Sequence, residues 1–205
     1  MTARLVVLAS GGGSNLQAIL DAGASGRLAA RVTGVVTNVP GAGCVERAAR
    51  AGVPVVALLA APGEARRDYD ARLAVAVAPF DPDWVVLAGW MRLLTGAFLD
   101  RHPGRVVNLH PALPGELPGL HAIERAHQEA RAGRRTATGV MVHLVPDEGV
   151  DDGPVLATAT VTVDPDETLE RLEARMHAAE HELLVRTLAR LTATVPNPHG
   201  HPQES

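Results

Sequence analysis

The sequence predicts an α/β fold: a mostly parallel sheet with helices on both faces and an antiparallel addition near the C-terminus. Three observations carry this. Valine-rich runs of strand length alternate with stretches of helical spacing through the first half. A glycine-rich turn, Gly11-Gly12-Gly13, follows the first run. In the second half, two strand-like runs lie too close together for a helical crossover.

The first-half strand candidates are residues 4–10, 31–38, 53–59, 83–89 and 105–110, each bounded by glycine, proline or polar residues. Between them, Leu16, Ile19 and Leu20 share one helical face, Val45, Ala48 and Ala49 a second, and Tyr69, Leu73 and Val77 a third. Strand, helix, strand in sequence implies a parallel sheet wrapped by helices. The close pair in the second half is 138–145 and 153–163. A long helix is then expected from about Asp166 to Leu191. Asp164 or Asp166 is its expected cap, and Glu167, Glu170 and Glu173 lie near its positive end. Leucines at 169, 172, 183, 184 and 188 mark its buried face. The expected domain is 1–194, followed by a flexible polar tail, 195–205, whose His199 and His201 are read as solvent-exposed rather than as metal ligands.

Composition narrows the function. A chain of 205 residues, 46% hydrophobic and 20% charged, suits one soluble globular domain. The net charge of −4 and the 2% aromatic content argue against a nucleic-acid partner. All 19 basic residues are arginine, so Schiff-base and P-loop lysine chemistry are excluded. No apolar run approaches the ~20 residues of a membrane span. The N-terminus lacks a signal-peptide core, and Cys44 is the only cysteine, so a cytoplasmic protein is expected.

Two clusters of residues suggest chemistry. Ser10 to Asn15 ends the first strand and opens the first helix, where backbone N–H groups and the helix dipole favour an anion. Glycine can also be needed there only to turn tightly. Leu16 stands where a dinucleotide fingerprint has its third glycine, and the second strand ends in Asn38 rather than an acid. A single phosphate monoester fits this turn better than a pyrophosphate. The second cluster is Asn108 and His110, two apart and so on one face of a strand end that Pro111 closes. They could equally satisfy loop backbone groups. Asp147, Glu148, Asp151 and Asp152 crowd the later loop without the spacing of a calcium site. They form either a solvated turn or the source of a carboxylate that reaches the histidine. Amide, imidazole and carboxylate together suit acyl transfer to an amine without a covalent nucleophile.

Five motifs occur in order: G-G-G-S-N at 11–15, L-A-G-W-M-R-L-L at 87–94, N-L-H-P at 108–111, P-G-L-H-A-I at 118–123 and V-D-D-G-P at 150–154. In these the chain resembles the phosphoribosylglycinamide formyltransferases of purine biosynthesis, from about residue 3 to 192. The resemblance implies a Rossmann-like formyltransferase fold. It implies transfer of the formyl group of 10-formyltetrahydrofolate to the amine of 5'-phosphoribosylglycinamide, by direct attack. It makes Asn108, His110 and Asp151 catalytic, with His110 the proton donor and Asp151 raising its pKa. The ribonucleotide would be held by Gly13, Ser14, Asn15, Gly89, Pro111, His177 and Glu180. The folate site would use Arg66, Met91, Arg92, Leu93, Leu94, Asn108, Asp147, Glu148, Gly149, Val150 and Asp151, with Arg66 preferred to Arg67 by its spacing to Tyr69-Asp70. His143 is either a supporting residue or a packed core histidine. The formyl donor is the expected co-substrate, with no metal, no nucleic acid, no membrane, and a monomer or homodimer. A nicotinamide-dependent oxidoreductase and a non-catalytic binding module are the competing readings; the first is disfavoured by Leu16 and Asn38.

Overall fold

The computed structural model describes residues 2–193; the expected tail, with His199 and His201, lies outside the described residues. Seven strands form one sheet: β1 (Ala3–Leu8), β2 (Ala30–Thr37), β3 (Val55–Ala57), β4 (Trp84–Leu87), β5 (Val106–His110), β6 (Ala137–Leu144) and β7 (Val155–Thr162). Their order is β3-β2-β1-β4-β5-β6-β7. β1 to β5 pair in parallel, and β6 and β7 add antiparallel, as the short connection between them requires.

The helices are α1 (Ser14–Ala24), α2 (Gly43–Arg50), α3 (Arg66–Val77), α4 (Gly96–Leu99), α5 (Ala122–Arg131) and α6 (Leu169–Ala193). Alternation along the strands divides the core between the two sheet faces. Leu5 and Val7 pack with Leu16 and Ile19 of α1, Ala48 of α2 and Leu172, Met176 and Leu184 of α6. Val6 and Leu8 point the other way, to Tyr69, Leu73 and Val77 of α3 and Phe98 and Leu99 of α4. Helices therefore cover both faces.

Several details differ from expectation. β3 is only three residues long, because it is an edge strand entered from Pro54. Ala49 is exposed and Cys44 takes its place in the α2 contact. α6 starts three residues later than expected, and neither Asp164 nor Asp166 caps it. Thr168 Oγ1 accepts from Arg171 N at 3.3 Å. Asp164 instead accepts from Asp166 N at 2.9 Å, and Glu167 turns back to Arg175 at 2.8 Å. α5 was not expected from sequence; its buried face is Ala122, Ile123, Ala126, His127 and Ala130.

The connectivity fixes where a ligand can bind. The chain runs outward through β1, β2 and β3, then crosses back to β4 on the other side of β1. The strand order reverses between β1 and β4, and the crevice beyond their C-terminal ends is where open α/β sheets take ligands. The glycine turn after β1, the segment after β4 and the end of β5 all open there.

Candidate active site

The glycine turn is built to hold one backbone conformation. Gly13 has φ 74°, and a Cβ there would lie 2.7 Å from Cys44 Cα, so only glycine fits. α2 braces the turn from the side: Cys44 N donates to Gly11 O at 3.1 Å and Arg47 Nε to Gly12 O at 2.8 Å. Ser10 ties the turn to its neighbours. Its hydroxyl donates to Asn38 Oδ1 at 2.6 Å and accepts from Met91 N at 2.9 Å, while its own N–H donates to Gly89 O at 3.0 Å. Asn38, where a dinucleotide site would hold an acid, is thus a structural brace.

Asn15, on the first turn of α1, donates to Glu180 Oε2 at 3.1 Å across 165 positions of sequence. Glu180 is buried, and burial pushes its carboxyl up against the pull of Asn15 and His177. Gly13, Ser14, Asn15 and Glu180 therefore converge. His177 is exposed on α6, with its ring 6.5 Å from that of His181.

The three residues singled out as catalytic meet. Asp151 Oδ2 lies 3.3 Å from His110 Nδ1 and accepts from Gly119 N at 2.9 Å. Its Oδ1 accepts from Asn108 Nδ2 at 3.0 Å. The β5–β6 register sets Asn108 opposite His143, and Asn108 Nδ2 lies 3.1 Å from His143 Nε2. His143 Nδ1 faces Leu144 O at 2.8 Å. In the neutral ring with its proton on Nδ1, that carbonyl accepts from Nδ1 and Nε2 accepts from Asn108. Both amide protons of Asn108 then have acceptors, and the orientation of its side chain is settled. His143 thus holds Asn108 rather than merely filling the core.

His110 is buried, and both its ring nitrogens face acceptors: Asp151 at Nδ1 and Leu117 O, at 3.1 Å, from Nε2. Only the doubly protonated ring satisfies both, yet burial opposes its charge. Burial outweighs the opposing pull of Asp151 and Leu117, and His110 titrates below its ordinary value. Asp151 does act upward, as expected, but the net shift is downward. Burial also pushes the Asp151 carboxyl up, and the nearby His143, Gly119 N–H and His110 together bring it below the usual carboxylate range. Asp151 adopts φ 54°, an uncommon conformation for a residue with a side chain. Its contacts with Asn108, Gly119 N and His110 hold it there.

The remaining expected residues divide between surface and core. Met91 and Leu93 are exposed, whereas Leu94 is buried against Trp90, Phe98, Leu99 and Val106. The Arg92 guanidinium lies over the Tyr69 ring at 4.1 Å. Arg66 pairs with Glu148 at 2.9 Å, and Glu148 also accepts from Gly96 N at 3.2 Å, so the 147–151 loop is tied to the starts of α3 and α4. Asp147 accepts from Gly149 N at 2.9 Å, closing the loop's own turn. Val150 is exposed and, with Asp151, borders a depression of about 370 Å³ against Pro114 and Pro118. A second depression, about 420 Å³, opens near Arg4 and Arg31 at the other end of the sheet, remote from this chemistry. Among the described residues no three His, Cys, Asp or Glu side chains converge as metal ligands.

A formyl transferase family model matches residues 3–188. The chain belongs to the formyl transferase family. It is 43% identical over 200 residues to the phosphoribosylglycinamide formyltransferase of Schizosaccharomyces pombe, covering 92% of this chain and 96% of the relative. It is 39% identical to that of Escherichia coli, covering 87% and 82%. A crystal structure of the Bacillus halodurans enzyme superposes with a TM-score of 0.87 at 38% identity, over 97% of this chain and all of the other. Glycinamide ribonucleotide transformylase 1 from Geobacillus kaustophilus superposes with a TM-score of 0.85 at 42% identity, over 94% and 100%.

This formyl transferase braces its site with groups that the residue pattern did not single out. Leu117 O and Gly119 N–H are backbone atoms, invisible to a search for side-chain chemistry, although Pro118-Gly119-Leu120 marks a turn. Arg47 was missed because nothing in its helix links it to a turn 35 positions earlier.

Proposed function

We propose that this chain transfers the formyl group of 10-formyltetrahydrofolate to the amine of 5'-phosphoribosylglycinamide. The observation that carries the reading is the network of Asn108 and His110, at the end of β5, with Asp151 of the β6–β7 loop, on the sheet whose β1 leads into the glycine turn. The relatives' printed names give the formyl acceptor, phosphoribosylglycinamide.

The residues fit both substrates. Gly13, Ser14 and Asn15 present the N-terminus of α1 to a phosphate monoester. Glu180, through Asn15, and His177 stand beside it for the ribose and glycinamide, with Gly89 and Pro111 flanking the reacting end. Met91 and Leu93 give an apolar face, and Trp90 Nε1 and Arg92 Nε are buried donors without partners, which suits a flat heterocycle with a polar edge. Arg66, Arg92, Leu94 and the 147–151 loop complete that side. The formyl donor supplies the one-carbon unit.

The chain's own groups then divide the work. Asn108 donates an N–H to the charge that builds on the formyl oxygen, giving up its bond to Asp151. His110 moves the proton from the attacking amine to the departing nitrogen, exchanging Leu117 O for substrate at Nε2. Asp151 steadies the imidazolium while it exists. No step calls for a metal, and small molecules are the only partners the reading requires. It places the enzyme in the cytoplasm, as a monomer or homodimer. The test is incubation with both substrates. Tetrahydrofolate should appear in equal amount to the formylated ribonucleotide, and only when the ribonucleotide is present. Release without it would mean hydrolysis and would refute the reading.

A further inference from the structure

Asp70 carries no assigned role, yet it is the most deeply buried carboxylate among the described residues, with no exposed surface. A buried carboxylate is costly unless it is hydrogen-bonded. Asp70 meets this in one place: its Oδ2 accepts from Thr95 N at 2.6 Å. Thr95 is the residue from which α4 starts, and its carbonyl accepts from Phe98 N and Leu99 N, both at 3.0 Å. Burial pushes the Asp70 carboxyl up, which the Thr95 contact and Arg92 and Arg66 oppose.

The neighbouring Tyr69 is equally buried. Its hydroxyl donates to Leu58 O at 2.8 Å, and its ring lies beneath the guanidinium of Arg92 at 4.1 Å. Two consecutive residues of α3 thus grip the segment 92–95, one near each end. One turn earlier Arg66 holds Glu148 of the opposite loop. α3 spans the two walls of the cleft assigned above to the formyl donor. Four buried atoms here lack partners: Asp70 Oδ1, Thr95 Oγ1, Trp90 Nε1 and Arg92 Nε. Such atoms are uncommon in folded proteins and mark either a strain or a binding role.

We infer that Asp70 is a positioning residue for the formyl donor, holding the 91–95 wall at the spacing that a pterin needs, and not a residue of the ribonucleotide site. The inference rests on the proposed reaction. It predicts that the carboxylate acts as an acceptor for Thr95 N, so that asparagine can substitute and alanine cannot.

The experiment compares Asp70→Ala and Asp70→Asn with the parent enzyme. Kd is measured for tetrahydrofolate and, separately, for the ribonucleotide, and KM for each substrate. Asp70→Ala should raise Kd for tetrahydrofolate and KM for the donor by at least tenfold. The ribonucleotide constants should stay within twofold. Asp70→Asn should recover most of the loss, and amide exchange at Thr95 should quicken only in the alanine variant. Equal losses for both substrates, or none, would overturn the inference, as would an asparagine variant as poor as alanine. Should Asp70→Ala fail to fold, Asp70→Leu, which fills the space of asparagine but offers no acceptor, carries the same comparison. Failure of the parent to bind tetrahydrofolate would count against the proposed reaction itself. Exchange at Thr95 would then still decide whether Asp70 anchors the wall.

Discussion

Replacing Asp151 with asparagine isolates the carboxylate that faces His110. The side chain keeps its size and one acceptor but loses its charge. Its Oδ2 lies 3.3 Å from His110 Nδ1, with both side chains largely buried. A hydrogen bond to a charged group at such a site contributes ~1.5–3 kcal/mol. At ~1.36 kcal/mol per pKa unit, His110 should titrate about one to two units lower in Asp151→Asn. The sign follows from the opposing causes. Burial already holds His110 below its ordinary value, and Asp151 acts against burial. Without the charge, burial acts with less opposition and the value falls further. Turnover should fall by ~10–10²-fold, the same energy expressed in the barrier. The assay is the pH dependence of kcat/KM together with NMR titration of the His110 ring. A His110 titration that stays in place, or moves upward, would refute the role given to Asp151.

Other perturbations test separate parts of the account. Asn108→Ala should lower turnover by ~10²–10³ with little change in KM for either substrate, read from steady-state kinetics. Gly13→Ala forces both a left-handed backbone and a 2.7 Å contact with Cys44, so it should weaken ribonucleotide binding and lower the thermal midpoint together. Thr168→Ala removes the cap of α6 and should cost ~1 kcal/mol, about 2–4 °C in Tm, without altering kcat. His110 and Asp151 both titrate lower folded than unfolded, so their contributions to stability are present above the ordinary values and lost as pH falls below them, whereas the raised carboxyls of Asp70 and Glu180 act in the opposite sense. The fall in urea midpoint from pH 7 to pH 5 should therefore be smaller in His110→Gln than in the parent; an equal fall would contradict the His110 contribution. Activity should survive dialysis against a chelator; its loss there, restored by a divalent ion, would contradict direct transfer without metal.

Much of this was legible in the sequence, for identifiable reasons. Parallel strands buried on both faces read as valine-rich runs, and these marked the strands, including the antiparallel pair. Gly13 was visible because its backbone leaves no alternative residue. Asn108 and His110 were visible because a strand that turns polar at its C-terminal end is informative, and Asp151 because it lies in an acidic loop with a motif behind it. What was hidden depends on distance along the chain. The cross-strand contact of His143 with Asn108 needs the β5–β6 register, and Glu180 beneath Asn15 needs α6 packed on α1. The net direction of the His110 shift needs its burial, which no local pattern supplies. The cap of α6 escaped because two aspartates compete with a threonine for that place.

The central claim is that Asn108 and Asp151 work with His110 as one unit about the reacting carbon. A double-mutant cycle tests it most directly, with kcat measured for Asn108→Ala, Asp151→Asn and the double variant. The account predicts a double variant about as slow as the slower single variant, because each substitution disables the same network. Losses that multiply would mean the two side chains act independently, and would contradict it.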